Sequence, residues 1–386
     1  MIPYGRQDIV QHDIDAVISV LKSDFITQGP MVPQFEKAIA QNVHVKHAIA
    51  VNSGTSALHI ACRSLGLGSG QKLWTSPITF LASANCGLYC GAFVDFVDID
   101  PLTYNLSPKS LEIKLSEAEK TGDLPDIVVP VHLCGQSCEM AAIHELSKSY
   151  GFRIIEDACH AVGGKYKDEA VGCCRYSDIT VFSFHPVKII TTAEGGMALT
   201  NNDTLAERME LLRSHGITRN PDRMTHEPDG PWYYQQIDLG YNYRMTDLQA
   251  ALGISQLTRL EEYVKRRNDL AQRYNHLLES LPVTIPWQHS DSYSPFHLYV
   301  IRLNMNKIKK SHREIFESMR QQGIGVNLHY IPIHTQPWYQ KMGFKKGDFP
   351  EAEKYYSEAI SLPIYPTMSE HQQDMVVAAL KKAACI

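Results

Sequence analysis

Lys188 stands in SDITVFSFHPVKIITTAEGGMALTNN (177 to 202), where an apolar run of strand length enters a polar turn and leaves through Gly195 and Gly196 into a second apolar run. A primary amine just past a buried strand is a nucleophile for a carbonyl carbon once desolvation lowers its pKa. By itself it reads equally as a solvated loop lysine. Ser183, five positions earlier, offers a hydroxyl suited to a phosphate on the same ligand, and the two glycines let backbone pass close to a ring.

RIIEDACHAVGG places Asp157 at the carboxyl end of a strand, where ligands of open α/β sheets gather. An acid there is suited to a ring nitrogen that must stay protonated, although on its own an Asp ending a strand is more often an N-cap. Cys159 shares its face by strand alternation and is placed to touch a ring, and His160 to reach a phenolic oxygen. In VNSGTSALH, Gly54 makes a turn and Thr55 and Ser56 open a helix, so unpaired N–H groups and the helix dipole can receive a phosphate; ordinary capping gives the same pattern. SPITFLASANC supplies Phe80 near a strand end, an aromatic face for stacking or for the core. An amine for an aldehyde, an acid for a ring nitrogen and hydroxyls for a phosphate describe a single ligand, pyridoxal 5'-phosphate, whose protonated pyridine acts as an electron sink.

The elements that must position these residues alternate. Strand-length apolar runs at 47 to 52, 73 to 76, 92 to 97, 127 to 132, 153 to 156, 179 to 184 and 195 to 200 are separated by amphipathic helical stretches, which predicts a mostly parallel sheet of seven strands covered by helices. TSALHIACRSLG (55 to 66) reads as a helix fed by the Ser53-Gly54 turn. Residues 215 to 235, rich in Gly, Pro, Asp and Arg, read as an ordered loop or lid. A long helix from 246 to 278 with a break, a strand at 296 to 303, the helix SHREIFESMRQQG, the strand-like GVNLHY and a closing helix at 369 to 384 complete a smaller domain. The expected division is 1 to 250, a large cofactor-binding domain, and 251 to 386, a small domain that includes the long connecting helix.

Bulk properties narrow the function. The 386 residues suffice for more than one core, and a formal net charge of -5 gives no basic field for nucleic acid or anionic membrane. No run approaches the roughly 18 apolar residues of a membrane span, and a cytoplasmic protein is expected. The nine cysteines are an odd number and lie mostly in apolar segments, which suits reduced thiols. Cys86 with Cys90 and Cys134 with Cys138 have C-x3-C spacing, off the usual zinc pattern, and no metal is expected. Lys307, Lys309 and Lys310 read as solvated surface.

The ordered set SGTSAL, TFLASAN, EDACHAVGG and SFHPVKIITTAEGG resembles the DegT/DnrJ/StrS sugar aminotransferases, which have the α/β, fold type I, aspartate aminotransferase-like architecture. The resemblance spans nearly the whole chain, from IPYGRQDI and TQGP through LGYNYRMTDLQAALGISQL and HLYVIRL to HYIPIHTQPWY and SLPIYPTM. It implies Lys188 as the lysine joined to the cofactor aldehyde, Asp157 at the pyridine nitrogen, Ser183, Thr55 and Ser56 at the phosphate, and Phe80 stacked on the ring. It also implies a homodimer with shared active sites, in which Asn242 or Arg244 of GYNYRM reaches the neighbouring subunit's phosphate. His185, and His329 with His334, fall where this family contacts substrate; they read equally as interior histidines. Thr27 of TQGP falls in a segment suited to the nucleotide.

Some relatives carry histidine in place of the lysine and are dehydratases, so Lys188 implies transamination from glutamate, with 2-oxoglutarate as product. FSFHPVKIITTAEGG with IPYGRQ is most similar to C-4 aminotransferases of pseudaminic acid synthesis, which act on UDP-2-acetamido-2,6-dideoxy-β-L-arabino-4-hexulose. Enzymes making GDP-perosamine or UDP-4-amino-4-deoxy-L-arabinose share most of these motifs and are the alternative. A cofactor-bound regulatory protein is the alternative of another class, and no basic patch supports it.

Overall fold

The computed structural model describes residues 1 to 385. Seven strands form the central sheet: β1 (His47–Val51), β2 (Lys72–Thr75), β3 (Phe93–Phe96), β4 (Ile127–Val129), β5 (Arg153–Asp157), β6 (Ile179–Ser183) and β7 (Gly196–Thr200), in the order β1-β7-β6-β5-β4-β2-β3. The pairs from β6 through to β3 are parallel, and β7 runs antiparallel to both of its neighbours. The mostly parallel α/β sheet expected from the alternating runs is therefore present.

Both faces of the sheet are apolar because side chains alternate along buried strands. Ile155, Ile179 and Val181 face a core shared with helices Gly54–Ser64 and Asp203–Arg213. Their neighbours turn the other way: Phe182 packs with helix Met31–Val43, and Val128 and Ile154 with helices Pro108–Thr121 and Met140–Tyr150. Expected β4 reached residue 132. Its ladder instead stops before Pro130, which has no N–H to donate, and resumes as a single bridge between Val131 and Asp157.

The expected long helix is two helices, Asp247–Leu257 and Leu260–Leu278, broken at Thr258 and Arg259, where Arg259 pairs with Asp8 and Asp13. The second helix leads into a three-stranded antiparallel sheet of β8 (Val283–Thr284), β9 (Tyr299–Leu303) and β10 (Ala359–Leu362). Helices His312–Gln321 and Glu370–Ala384 flank it, each opened by a capping box, on Ser311 and Ser369. Ile2 packs into this second core, so the first residues lie with the C-terminal region. GVNLHY is not a strand: its pairing is one bridge, Asn327 with Ser361, beside the bridge from Ile2 to Ile324. The 215 to 235 segment is an excursion closed by a two-residue ladder between Ile217–Thr218 and Gln235–Gln236. Among the described residues no helix is long and apolar enough to cross a membrane.

Candidate active site

Sheet register gathers the site. Val51 pairs with Gly196 and Gly196 with Ser183, while Asp157 ends the next parallel strand opposite Val181. The turn that follows β1, the start of β7 and the ends of β5 and β6 therefore meet at one edge of the sheet. There they line a cleft of about 530 Å³ that includes Ser53, Gly54, Thr55, Phe80, Asp157, Cys159, His160, Ser183, His185, Lys188 and His329.

The Ser53 hydroxyl caps helix Gly54–Ser64 by accepting the Ser56 N–H at 3.1 Å. Gly54 and Thr55, the first two helical positions, have no protein partner for their N–H groups among the described residues. A Cβ on Gly54 would stand 3.0 Å from Ser183 Cβ and 3.2 Å from its Oγ, so the missing side chain leaves the turn open beside the Ser183 hydroxyl. Two free donors, the Thr55 and Ser183 hydroxyls and a helix N-terminus form a cradle that fits a phosphate.

The sequence reading of Ser56 needs correction: its hydroxyl donates to Asn52 Oδ1 at 2.6 Å and does not line the cleft, because the third helical position turns it back toward the capping residue. The glycine pair also has a different reason. Gly196 admits the Ser53 carbonyl, since a Cβ there would stand 2.5 Å from Ser53 C and 2.6 Å from Gly54 N, and Gly195 clears Thr192 and Met245.

Asp157 is buried and held at two points. Ser83 Oγ donates to Oδ2 at 2.6 Å, and the Cys159 N–H to Oδ1 at 3.2 Å. Lys188 reaches the cleft from the turn after β6, its N–H bonded to His185 O at 2.9 Å. Burial lowers its pKa, against the opposing pull of Cys159 and Asp157. Burial likewise pushes the Cys159 thiol well up and the imidazoles of His160 and His297 well down, and takes His329 down to about 3.

His160 Nδ1 accepts the Cys134 N–H at 3.3 Å, which leaves Nε2 to donate to Tyr330 Oη at 3.2 Å, and its ring stacks on that tyrosine at 26°. His329 is bonded to Ser361 Oγ at 2.8 Å. His185 and Glu194 are exposed at the cleft, 3.9 Å apart. Phe80 is 58% exposed and lies 6.2 Å from the Tyr330 ring, so its face is available to a ligand.

Other expected residues lie elsewhere. His334 is fully buried, bonded to Glu353 at 2.9 Å and packed on Phe349, and lines no part of the cleft; packing, not substrate, accounts for it. Thr27 is exposed and bridged to Thr246, and the carboxylate of Asp247 fastens its segment through the N–H groups of Gly29, Met31 and Val32. Asn242 is exposed and bridged to Ser214, and Arg244 donates to Ser214 Oγ at 3.0 Å; both lie outside this chain's own cleft. The sequence reading did not single out Thr79, Ser83, His297, Asn327 or Tyr330. The i, i+4 hydroxyls of Thr79 and Ser83 inside SPITFLASANC were the available signal for the first two.

The family model for the DegT/DnrJ/EryC1/StrS aminotransferases matches residues 7 to 381. The spore coat polysaccharide biosynthesis protein SpsC of Bacillus subtilis is 39% identical, over 98% of this chain and 96% of that protein. The UDP-4-amino-4,6-dideoxy-N-acetyl-beta-L-altrosamine transaminase of Campylobacter jejuni is 38% identical, over 96% and 94%. Among solved structures, Helicobacter pylori PseC, an aminotransferase involved in the biosynthesis of pseudoaminic acid, superposes with a TM-score of 0.90 at 30% identity, covering 99% of both chains. The pyridoxal-phosphate form of the sugar aminotransferase Spr1654 from Streptococcus pneumoniae gives 0.88 at 26%, covering 99% of this chain and 98% of that one. With its sheet order, its lysine-bearing cleft and a match over nearly its whole length, this chain belongs to the DegT/DnrJ/EryC1/StrS aminotransferase family and is a pyridoxal-phosphate-dependent sugar aminotransferase.

Proposed function

We propose that this enzyme moves the amino group of glutamate to C-4 of a UDP-linked 4-keto-6-deoxy sugar, UDP-2-acetamido-2,6-dideoxy-β-L-arabino-4-hexulose, on the route to pseudaminic acid. The observation that carries the chemistry is the enclosure of Lys188 beside Asp157, with the cradle of Gly54, Thr55 and Ser183 in the same cleft. Similarity to the Campylobacter enzyme and to PseC supports the substrate.

When bound, the cofactor supplies a protonated pyridine ring that acidifies the carbon bearing the amine. Asp157 would keep the ring nitrogen protonated, and Ser183, Thr55 and the open N–H groups would hold the phosphate. Phe80 would cover the ring, and His160, whose pKa burial pushes well down, would be a neutral hydrogen-bonding neighbour. Lys188 Nζ, which lines the cleft, would be the group that holds the cofactor's aldehyde carbon. Burial lowers the pKa of Nζ, which favours the neutral amine, and in that form Nζ would accept the proton of the amino-acid α-carbon. Across the whole reaction, glutamate and one water would give 2-oxoglutarate while the sugar ketone gains the amine and releases one water, and Nζ would return a proton to sugar C-4. Residues 1 to 250 carry the cofactor groups, and 251 to 386 add the wall of His297, Asn327, His329 and Tyr330, with His185 and His329 facing substrate.

Glutamate and a nucleotide diphosphate are anions, yet among the described residues no arginine lines the cleft and Lys188 is its one lysine. Arginine is the residue best shaped for carboxylate and phosphate. We assign the missing charge to Arg244 of a second copy of this chain, with Asn242 on the same GYNYRM loop adding a neutral hydrogen bond, and the nucleotide to the neighbourhood of Thr27. Free thiols at all nine cysteines suit the cytoplasm. The near-equal identity to SpsC favours one second reading, a different nucleotide 4-ketosugar in the same reaction. Glutamate-dependent amination of matched UDP-linked and GDP-linked 4-keto sugars separates them. Preference for the UDP-2-acetamido sugar is expected, and preference for a GDP sugar overturns the substrate assignment.

A further inference from the structure

Asp157 has a support that lies outside the cleft. Ser83 sits in the first turn of helix Ala82–Tyr89, is fully buried and does not line the cleft, yet its hydroxyl spans to Asp157 Oδ2 at 2.6 Å. Thr79, which does line the cleft, has its Oγ1 2.8 Å from Ser83 Oγ. Proton accounting fixes the direction of this chain. A hydroxyl has one proton; Ser83 gives its proton to the carboxylate, so Thr79 donates to Ser83. With the Cys159 N–H on Oδ1, both carboxylate oxygens are claimed by donors, which fixes the plane of the group. A hydroxyl near a helix start commonly caps its own helix. Here it is spent on a carboxylate at the end of a neighbouring strand.

We propose that Ser83, backed by Thr79, is a positioning residue: it fixes the orientation of the Asp157 carboxylate toward the cofactor's ring nitrogen. This rests on the assignment of Asp157 made above. Two donors in series polarise one another, so the loss of Thr79 is felt at Asp157 less strongly than the loss of Ser83.

The test compares two cofactors on the full chain freed of its own: pyridoxal phosphate, and its 1-deaza analogue, in which the ring nitrogen is replaced by C–H. Only the first gains from an oriented acid. S83A is expected to weaken binding of pyridoxal phosphate by about tenfold, the scale of one hydrogen bond to a charged group, and T79V by about threefold. Affinity for the deaza analogue should stay within about twofold of the native chain in both. In the reloaded enzyme, kcat should fall for S83A while KM for glutamate stays nearly constant, because Ser83 touches no substrate. Equal losses for both cofactors make Ser83 a packing residue and overturn the proposal, as does no loss for either. D157A separates the two claims. If it discriminates between the cofactors while S83A does not, only the Ser83 proposal falls; if D157A also fails to discriminate, the assignment of Asp157 falls first.

Discussion

Replacing Gly196 by alanine perturbs the cofactor cradle without touching a cleft side chain. The added Cβ would stand 2.5 Å from the carbonyl carbon of Ser53 and 2.6 Å from the nitrogen of Gly54, and closer still to the Ser53 oxygen. All three are backbone atoms, so no rotamer change relieves the clash. Gly196 is the middle of the row Val51, Gly196, Ser183, and β7 is bonded to strands on both sides, so the Ser53-Gly54 turn must yield. Restoring ordinary contact requires a retreat of about 1 Å. Overpacking of this kind costs about 1–3 kcal/mol of stability, and carrying the Gly54 and Thr55 N–H groups away from the phosphate should weaken cofactor binding by about tenfold or more. The assay is a thermal melt together with titration of the cofactor-free protein by visible absorbance. G195A is the comparison, since its Cβ would meet the movable side chains of Thr192 and Met245. Native melting and native affinity in G196A would refute the steric reasoning. A lowered Tm with native affinity would show that the turn does not hold the phosphate.

Two further expectations concern pH. Burial sets the pKa of folded Lys188 below the ordinary 10.5, so the unfolded chain binds a proton that the folded one resists, and the cofactor-free protein gains stability as pH rises through that window. K188M should therefore melt above the cofactor-free wild type at pH 7, the gap closing toward pH 10.5, and it should be inactive. An equal or lower Tm for K188M at neutral pH contradicts the buried-amine picture. His329, at about 3 when folded and about 6.5 when unfolded, stays neutral in the native state and costs stability as pH falls from 6.5 toward 3. The slope of Tm against pH below 6.5 should be shallower for H329Q; an unchanged slope would show that His329 is protonated in the folded enzyme.

The sheet was legible because its strands are apolar on both faces and bounded by turns, and those of β5, β6 and β7 differ from expectation by a residue or so at their ends. Legibility failed where pairing is too short to carry a period. The two-residue ladders at Lys165–Tyr166, Glu169–Ala170 and Ser292–Tyr293 left no signal, and GVNLHY, with strand-like composition, found only a single bridge. Within the site, Lys188, Asp157, Ser183 and Thr55 could be grouped because each follows or ends a strand, and strand register brings such positions to one edge. The direction of a side chain is not written in its neighbours. Ser56 and His334 have suitable chemistry, yet the helix start turns one toward Asn52 and Glu353 holds the other. His297, Asn327 and Tyr330 join the cleft from segments more than a hundred residues beyond Lys188, a proximity that only the folded chain reveals.

The central claim is that Lys188 holds the cofactor, and borohydride reduction of the protein loaded with pyridoxal phosphate, followed by peptide mapping, tests it directly. The expected result is one reduced adduct, on the peptide carrying Lys188, abolished when glutamate is added first to convert the cofactor to its amine form. An adduct on another lysine, or the loss of native cofactor chemistry with Lys188 unmodified, would contradict it.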